Sequence, residues 1–199
     1  MDAQSPFNHT VLEVVAAASL CYDANPDFTQ FDNDVLTVRK VFEKGLELPI
    51  ARAAEMIETI NQHYTLSILQ GREPTAFHTS LVNVLQDPTA LTKTRLPQFA
   101  PKVYATARAD YAIAEAAQTS EYLGEIDDRI ELEVTVVRHH FIAEFNTYSH
   151  IAISNGNLIK FNFKKSPNES TFKISGKIRH HDTYRHGGKL TVLNYVKMI

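Results

Sequence analysis

Apolar positions recur at helical spacing through roughly the first 119 residues and at every second position after that. Val11–Tyr22 is an apolar, Ala-rich segment of helical character. Ala24–Asp34, rich in Asn, Asp and Pro, reads as a loop, and Asp34 is expected to cap a helix over Val35–Lys44 that stops at Gly45. Pro49 suits the first turn of a helix over Ile50–Gln70. There Ala53, Ile57, Ile60, Tyr64 and Ile68 keep near helical spacing, and Gly71 ends the run. Thr75–Leu85 predicts a shorter helix broken by Asp87–Pro88. Thr92–Phe99 predicts another that stops before Pro101, and Lys102–Ala117 predicts a long Ala-rich one.

The period changes near Ser120–Asp128. In Glu131–Val137, Leu132, Val134 and Val136 alternate with Glu131, Glu133 and Thr135. Thr147–Ser154 sets Ile151 and Ile153 on one face, and Tyr148, His150 and Ala152 on the other. Asn155–Gly156 is a two-residue hairpin signal. Leu158–Lys164 follows, with Ile159, Phe161 and Phe163 sharing a face. Thr171–His180 sets Phe172, Ile174 and Ile178 against Lys173, Lys177 and Arg179. Asp182–Gly188 reads as a polar loop, and Leu190–Met198 as the last strand. Gly176 inside the fourth strand marks a bend. Closing five such strands into a barrel removes their edges. The expectation is an α+β chain: a helical region over 1–119, then a small five-stranded OB-like β-barrel over 120–199.

Charge sharpens this division. From Arg129 onward the chain holds 11 Lys and Arg against 5 Asp and Glu, whereas the first 128 residues hold 9 against 18. An acidic front and a basic back point to a polyanion as partner for the β module. No run approaches the length of a membrane span, and the N-terminal residues lack the cationic start of a secretory signal. The single cysteine, Cys21, allows no internal disulfide and sits among apolar residues as a buried thiol. These features suit a reducing, cytoplasmic setting.

Binding a nucleic-acid strand needs cations for phosphates and flat rings for bases. The fourth strand offers Lys173, Lys177 and Arg179, and the preceding hairpin strand Lys160 and Lys164. The last loop adds Arg185 and Lys189, and the last strand Lys197. Tyr148, His150, Tyr184 and Tyr195 are the candidate stacking rings, while Phe161, Phe163 and Phe172 are assigned to the core. The competing reading of alternating Lys and Arg is a solvated strand face. The pairs His139–His140 and His180–His181 point to opposite faces, so neither suits a metal ion, and no cysteine pair accompanies them. Protonation of the module's histidines near pH 6 is expected to strengthen anion binding. No nucleophile elbow, P-loop or dinucleotide fingerprint occurs, so neither an enzyme nor a cofactor is expected.

The segment Gly176–Lys197 resembles a pattern of phage DNA-metabolism proteins, G-x-V-K followed by H-D-x-Y-x-G-x-x-Q-T-x-L-x-x-V-K. Gly176, Lys177, His181, Asp182, Tyr184, Thr191, Leu193, Val196 and Lys197 fall on its fixed places. Tyr122–Val137 resembles the entry strand of the same module. Phe77, Ser80, Leu81, Leu85, Leu91, Leu96 and Ala100 resemble an element that precedes it. The chain departs from the pattern at Lys189, Leu190 and the extra Gly187–Gly188. The resemblance implies an OB-like fold, association with single-stranded nucleic acid and a place beside replication or recombination proteins, in the host cytoplasm if phage-encoded. It implies no catalytic site. The acidic front is expected to serve as a homo-oligomer or partner surface, or to cover one end of the barrel. Two other readings stay open: a protein-interaction or inhibitor protein that uses the barrel as a scaffold, and an enzyme subunit whose chemistry lies elsewhere.

Overall fold

The structure, a computed structural model, describes residues 8–25, 35–164, 171–184 and 187–199. The chain forms two compact units, Met1–Ala107 and Arg108–Ile199.

The first unit is helical, with α1 (Val11–Ala24), α2 (Val38–Glu43), α3 (Ile50–Leu69), α4 (Ala76–Leu85), a 3-10 turn (Leu96–Phe99) and the start of α5 (Ala100–Thr119). Thr10 opens α1 with a reciprocal cap: its hydroxyl accepts from the Glu13 N–H, and the Glu13 carboxylate accepts from the Thr10 N–H at 2.7 Å. Val14, Val15, Ala16, Ala17 and Ala18 are all buried, so α1 is the central helix of the unit rather than an amphipathic one. One side of it meets Ala53, Met56, Ile57, Ile60, Leu81 and Leu85, and the other meets Val38 and Val41. Cys21 is in the second cluster, where burial pushes its thiol up to about 11. α2 starts at Val38 with Thr37 as its cap, later than the expected start at Val35; Asp34, the expected cap, lies outside the described residues. The helix expected over Thr92–Phe99 shrinks to the 3-10 turn. The Thr92 hydroxyl donates to the Thr94 carbonyl, and Pro101 sits in the first turn of α5, where a missing N–H costs nothing.

The second unit is a closed barrel in the order β1-β2-β3-β5-β4. Its strands are β1 (Arg129–Ile142), β2 (Thr147–Ser154), β3 (Asn157–Phe163), β4 (Thr171–Thr183) and β5 (Lys189–Met198). Neighbouring strands pair antiparallel except β3 and β5, which pair parallel from Leu158↔Leu190 to Phe161↔Leu193. β1 pairs with β4 through its first half and with β2 through its second, the long shared strand of an OB-like barrel. Asn155 and Gly156, at φ 48 and 80, make the left-handed hairpin turn that their dipeptide signals. Val134, Ala152, Ile159, Phe161, Phe172, Ile174, Ile178 and Leu193 fill the interior.

Residues 108–119 of α5 lie on the outside of this barrel. Ile113, Ala116 and Ala117 pack on Ile151, Leu158, Leu190 and Val192, and Arg138 bonds Asp110 at 2.7 Å. The chain then runs along the barrel through side-chain fastenings. The Ser120 hydroxyl donates to the Lys189 carbonyl at 2.6 Å and accepts from the Leu158 N–H at 2.9 Å, while the Leu123 N–H donates to Thr191 Oγ1 at 3.0 Å. Ser120→Ala leaves two backbone groups without a partner at a site that is 5% exposed, so urea unfolding should show a loss of about 2 kcal/mol.

Candidate nucleic-acid interface

The residues expected to form one groove fall in three places. The outer face of β4 holds the first set. Lys173 stands opposite Glu133, and Lys177 stands opposite Arg129 and bonds Asp127 at 2.8 Å. Lys197 stands opposite Ser175, Arg179 is exposed, and Tyr195 is 73% exposed. Glu131, Glu133 and Asp127 are interleaved with these cations, so this face carries mixed charge rather than a continuous basic stripe.

The second set lies at the β4–β5 turn. Tyr184 is half-buried against the cluster that joins α5 to β3 and β5, and its N–H donates to the Gly188 carbonyl at 2.8 Å. Lys189 bonds the Glu121 carboxylate and lies 5.6 Å above the Tyr122 ring. Arg185 lies outside the described residues. These side chains tie the turn to the segment that leads into the barrel, and both Tyr184 and Lys189 are engaged in doing so.

The third set is at the β1–β2 end and differs in kind. Val137 is an extra residue in β1, because Val136 pairs with Ala152 and Arg138 already with Ile151. This bulge reverses the phase of the strand. Before it Val134 and Val136 face inward; beyond it His139 and Phe141 share the face of His150 and Tyr148, their cross-strand partners. Tyr148 and His150 pair in turn with Phe163 and Phe161 of β3. The result is a column of rings running from the interior to the open end. Phe161 lies 5.0 Å from His150, Tyr148 lies 6.1 Å from His150, and Phe141 lies 5.0 Å from Tyr148. Burial falls along it: Phe161 is 1% exposed, Tyr148 and Phe163 are half-buried, and Phe141 is 45% exposed. Phe145, 65% exposed, caps the end on the 3-10 turn Ala143–Phe145, which the left-handed Asn146 closes. Lys164 is exposed directly after Phe163. Lys160, opposite Ile151, is half-buried on the outer face of the same sheet, and His140 is exposed at the strand end.

The structure corrects one stacking assignment. His150 is 0% exposed and neither ring nitrogen has a hydrogen-bond partner, so it belongs to the interior, not to a contact surface. Burial, and secondarily the nearby His139, pushes its imidazole down to about 4, so it gains no charge near pH 6. Phe141 and Phe145 are absent from the expected set; Phe163, expected in the core, packs half-buried against the interior cluster. The β1 bulge hides the first of these, since alternation read from Glu131 puts Phe141 on the outside.

No protein-family model matches the chain. No curated protein matches it, and no solved structure does. Tyr122 stacks on His181 at 4.5 Å, and Gly176 sits under Leu193 and Val196, where a Cβ would come within 3.3 Å of both side chains. They act as barrel fastenings. Among the described residues no group of three His, Cys, Asp or Glu is placed to hold a metal ion, and no helix is long and apolar enough to cross a membrane.

Proposed function

We propose that this protein is a non-catalytic accessory protein of phage-type DNA metabolism whose barrel binds single-stranded nucleic acid, DNA in the first place, at the β1–β2 end. The exposed ring column carries the reading. Phe141 and Tyr148, with Phe145 at the tip and Phe163 beside them, offer flat faces to unpaired bases, and the exposed Lys164, directly after Phe163, is available for phosphates. In OB-like barrels the face of the second and third strands and the loops after the first and the fourth strand hold oligonucleotides. Here residues 108–119 of α5 cover part of the outer face of those strands, which leaves their open end as the accessible portion. Base stacking is sequence-tolerant and worth about 1–3 kcal/mol per base. The reading further places the protein beside replication or recombination proteins in the host cytoplasm.

The test is fluorescence anisotropy with labelled single- and double-stranded oligonucleotides at low and high salt. Single strands should bind more tightly, and affinity should fall steeply with salt. Tyr148→Ala and Phe141→Ala should each weaken binding about tenfold or more. Lys177→Ala should change it little, because Lys177 is engaged by Asp127. A wild-type protein that ignores both oligonucleotides at low salt would instead favour a protein-interaction role, for which the exposed Phe141 and Phe145 are the specific support.

A further inference from the structure

A second site lies in the helical unit, independent of the barrel. Between α3 and α4 is a cavity of about 190 Å³. Its floor is apolar: Ile60, Leu81 and Val82 are buried there, with Tyr64 and Val103 beside them. The Tyr64 ring is held in place by a 3.1 Å hydrogen bond from its hydroxyl to Thr79 Oγ1. Polar groups enter around Arg72 and the start of α4. Thr75 caps α4 by accepting from the His78 N–H, and its hydroxyl lies 2.8 Å from His78 Nδ1, which leaves Nε2 as the ring nitrogen not engaged by Thr75. Arg72 bonds the neutral Gln70 amide at 2.7 Å, an acceptor that leaves the guanidinium charge in place. Glu73 is the one carboxylate among the lining residues. The N-terminal end of α4 adds partial positive charge on the same side.

The combination is an apolar bed whose polar edge holds the Arg72 guanidinium, His78 and the start of α4, with Glu73 beside them. An apolar cavity of about 150 Å³ accepts benzene, so this one has room for a ring and a small head group. We propose that the cavity binds a small organic carboxylate with an aromatic or branched aliphatic body. The body rests on Ile60, Tyr64 and Val82, and the carboxylate faces Arg72 and His78 at the start of α4. Small size and partial openness keep affinity modest, at about 1 mM for a ligand of some nine heavy atoms.

The experiment is a titration of the full-length, ¹⁵N-labelled chain with sodium benzoate, benzyl alcohol and benzylamine, read on the amides of residues 60–82. Benzoate should give saturable shifts there. Benzyl alcohol, with the same ring and no charge, should bind about tenfold more weakly, and benzylamine should not bind. Arg72→Gln should weaken benzoate about tenfold and leave benzyl alcohol unchanged. Ser67→Phe, at the half-buried rim, should block both while the remaining amide spectrum stays in place. Two results would overturn the proposal: no saturable benzoate shifts in this segment at about 20 mM, or equal responses to benzoate and benzylamine.

Discussion

Acidification from about pH 7 to about pH 4 is expected to cost the barrel about 3 kcal/mol through His150 alone. In the unfolded chain this imidazole takes up its proton near its ordinary value of 6.5; in the folded barrel it does not do so until about 4. The unfolded state therefore binds more protons through that interval. Stability is fully present above the unfolded value, falls as pH drops through 6.5 toward 4, and levels off below. The cause is local. The ring is 0% exposed, stacked 5.0 Å from Phe161, with no partner on either nitrogen to accept or share a proton, and with His139 6.2 Å away to repel a second positive charge.

Protonation elsewhere in the folded and unfolded chain also contributes to a pH dependence, so the measurement is a difference. Urea unfolding of the full chain, followed on the Ala152 and Ile159 amides, should show a steeper loss of stability on acidification in wild type than in His150→Phe, the difference being the share of His150. The extra volume of phenylalanine shifts stability by a pH-independent amount and leaves the slope readable. Equal slopes in the two proteins would mean that His150 charges freely in the fold, and the interior assignment of the ring column would fall with that result.

The same ring column shows where sequence reading reaches and where it stops. β2 was legible to the residue, because its alternation is unbroken and the Asn155–Gly156 turn fixes its end. β1 was legible only as far as Val137. Period-two reading assumes one residue per step, and a bulge breaks that assumption without leaving a mark in composition. Arg179 does the same to β4: Ile178 pairs with Leu193 and His180 already with Val192, so the strand continues to Thr183, past the point where alternation was lost. On β5 the extra residue is at Tyr195–Val196 opposite Gly176. Tyr195 takes a φ of 50 and turns outward while Val196 turns in, which is why this ring is 73% exposed.

The cations were legible as residues of the right strands but not as a site. Asp127 and Glu121, which engage Lys177 and Lys189, sit in the segment before β1, far away in sequence, and nothing in a strand's own pattern reports them. The acidic front and basic back of the chain therefore overstate the charge that any one face presents. Surface pairs of this kind add little stability, but they remove cations from a phosphate-binding face, and that is what moves the candidate site toward the β1–β2 end.

Gly188→Ala should destabilise the barrel unit by about 2–4 kcal/mol, a large effect for one added methyl group. A Cβ at this position would lie 2.6 Å from the Ala117 Cβ and 2.7 Å from the Ala117 Cα, with Leu158 Cδ1 at 3.0 Å. Leu158 can change rotamer to relieve its own contact; the Ala117 backbone cannot move without lifting residues 108–119 of α5. Lifting them uncovers Leu158 and Leu190, 0% and 2% exposed, together with Ile113. Gly187 provides the control next door. Its φ is 79 and nothing lies within 4 Å of an added Cβ, so Gly187→Ala costs only left-handed backbone strain, about 1 kcal/mol. The two adjacent glycines thus have different jobs: the first turns the chain, and the second lets a helix approach a strand end. Urea unfolding of both variants, followed on barrel amides, separates them. Equal losses in the two would mean that α5 does not press on the β4–β5 turn, and the packing that covers the outer face of β2, β3 and β5 would have to be redrawn.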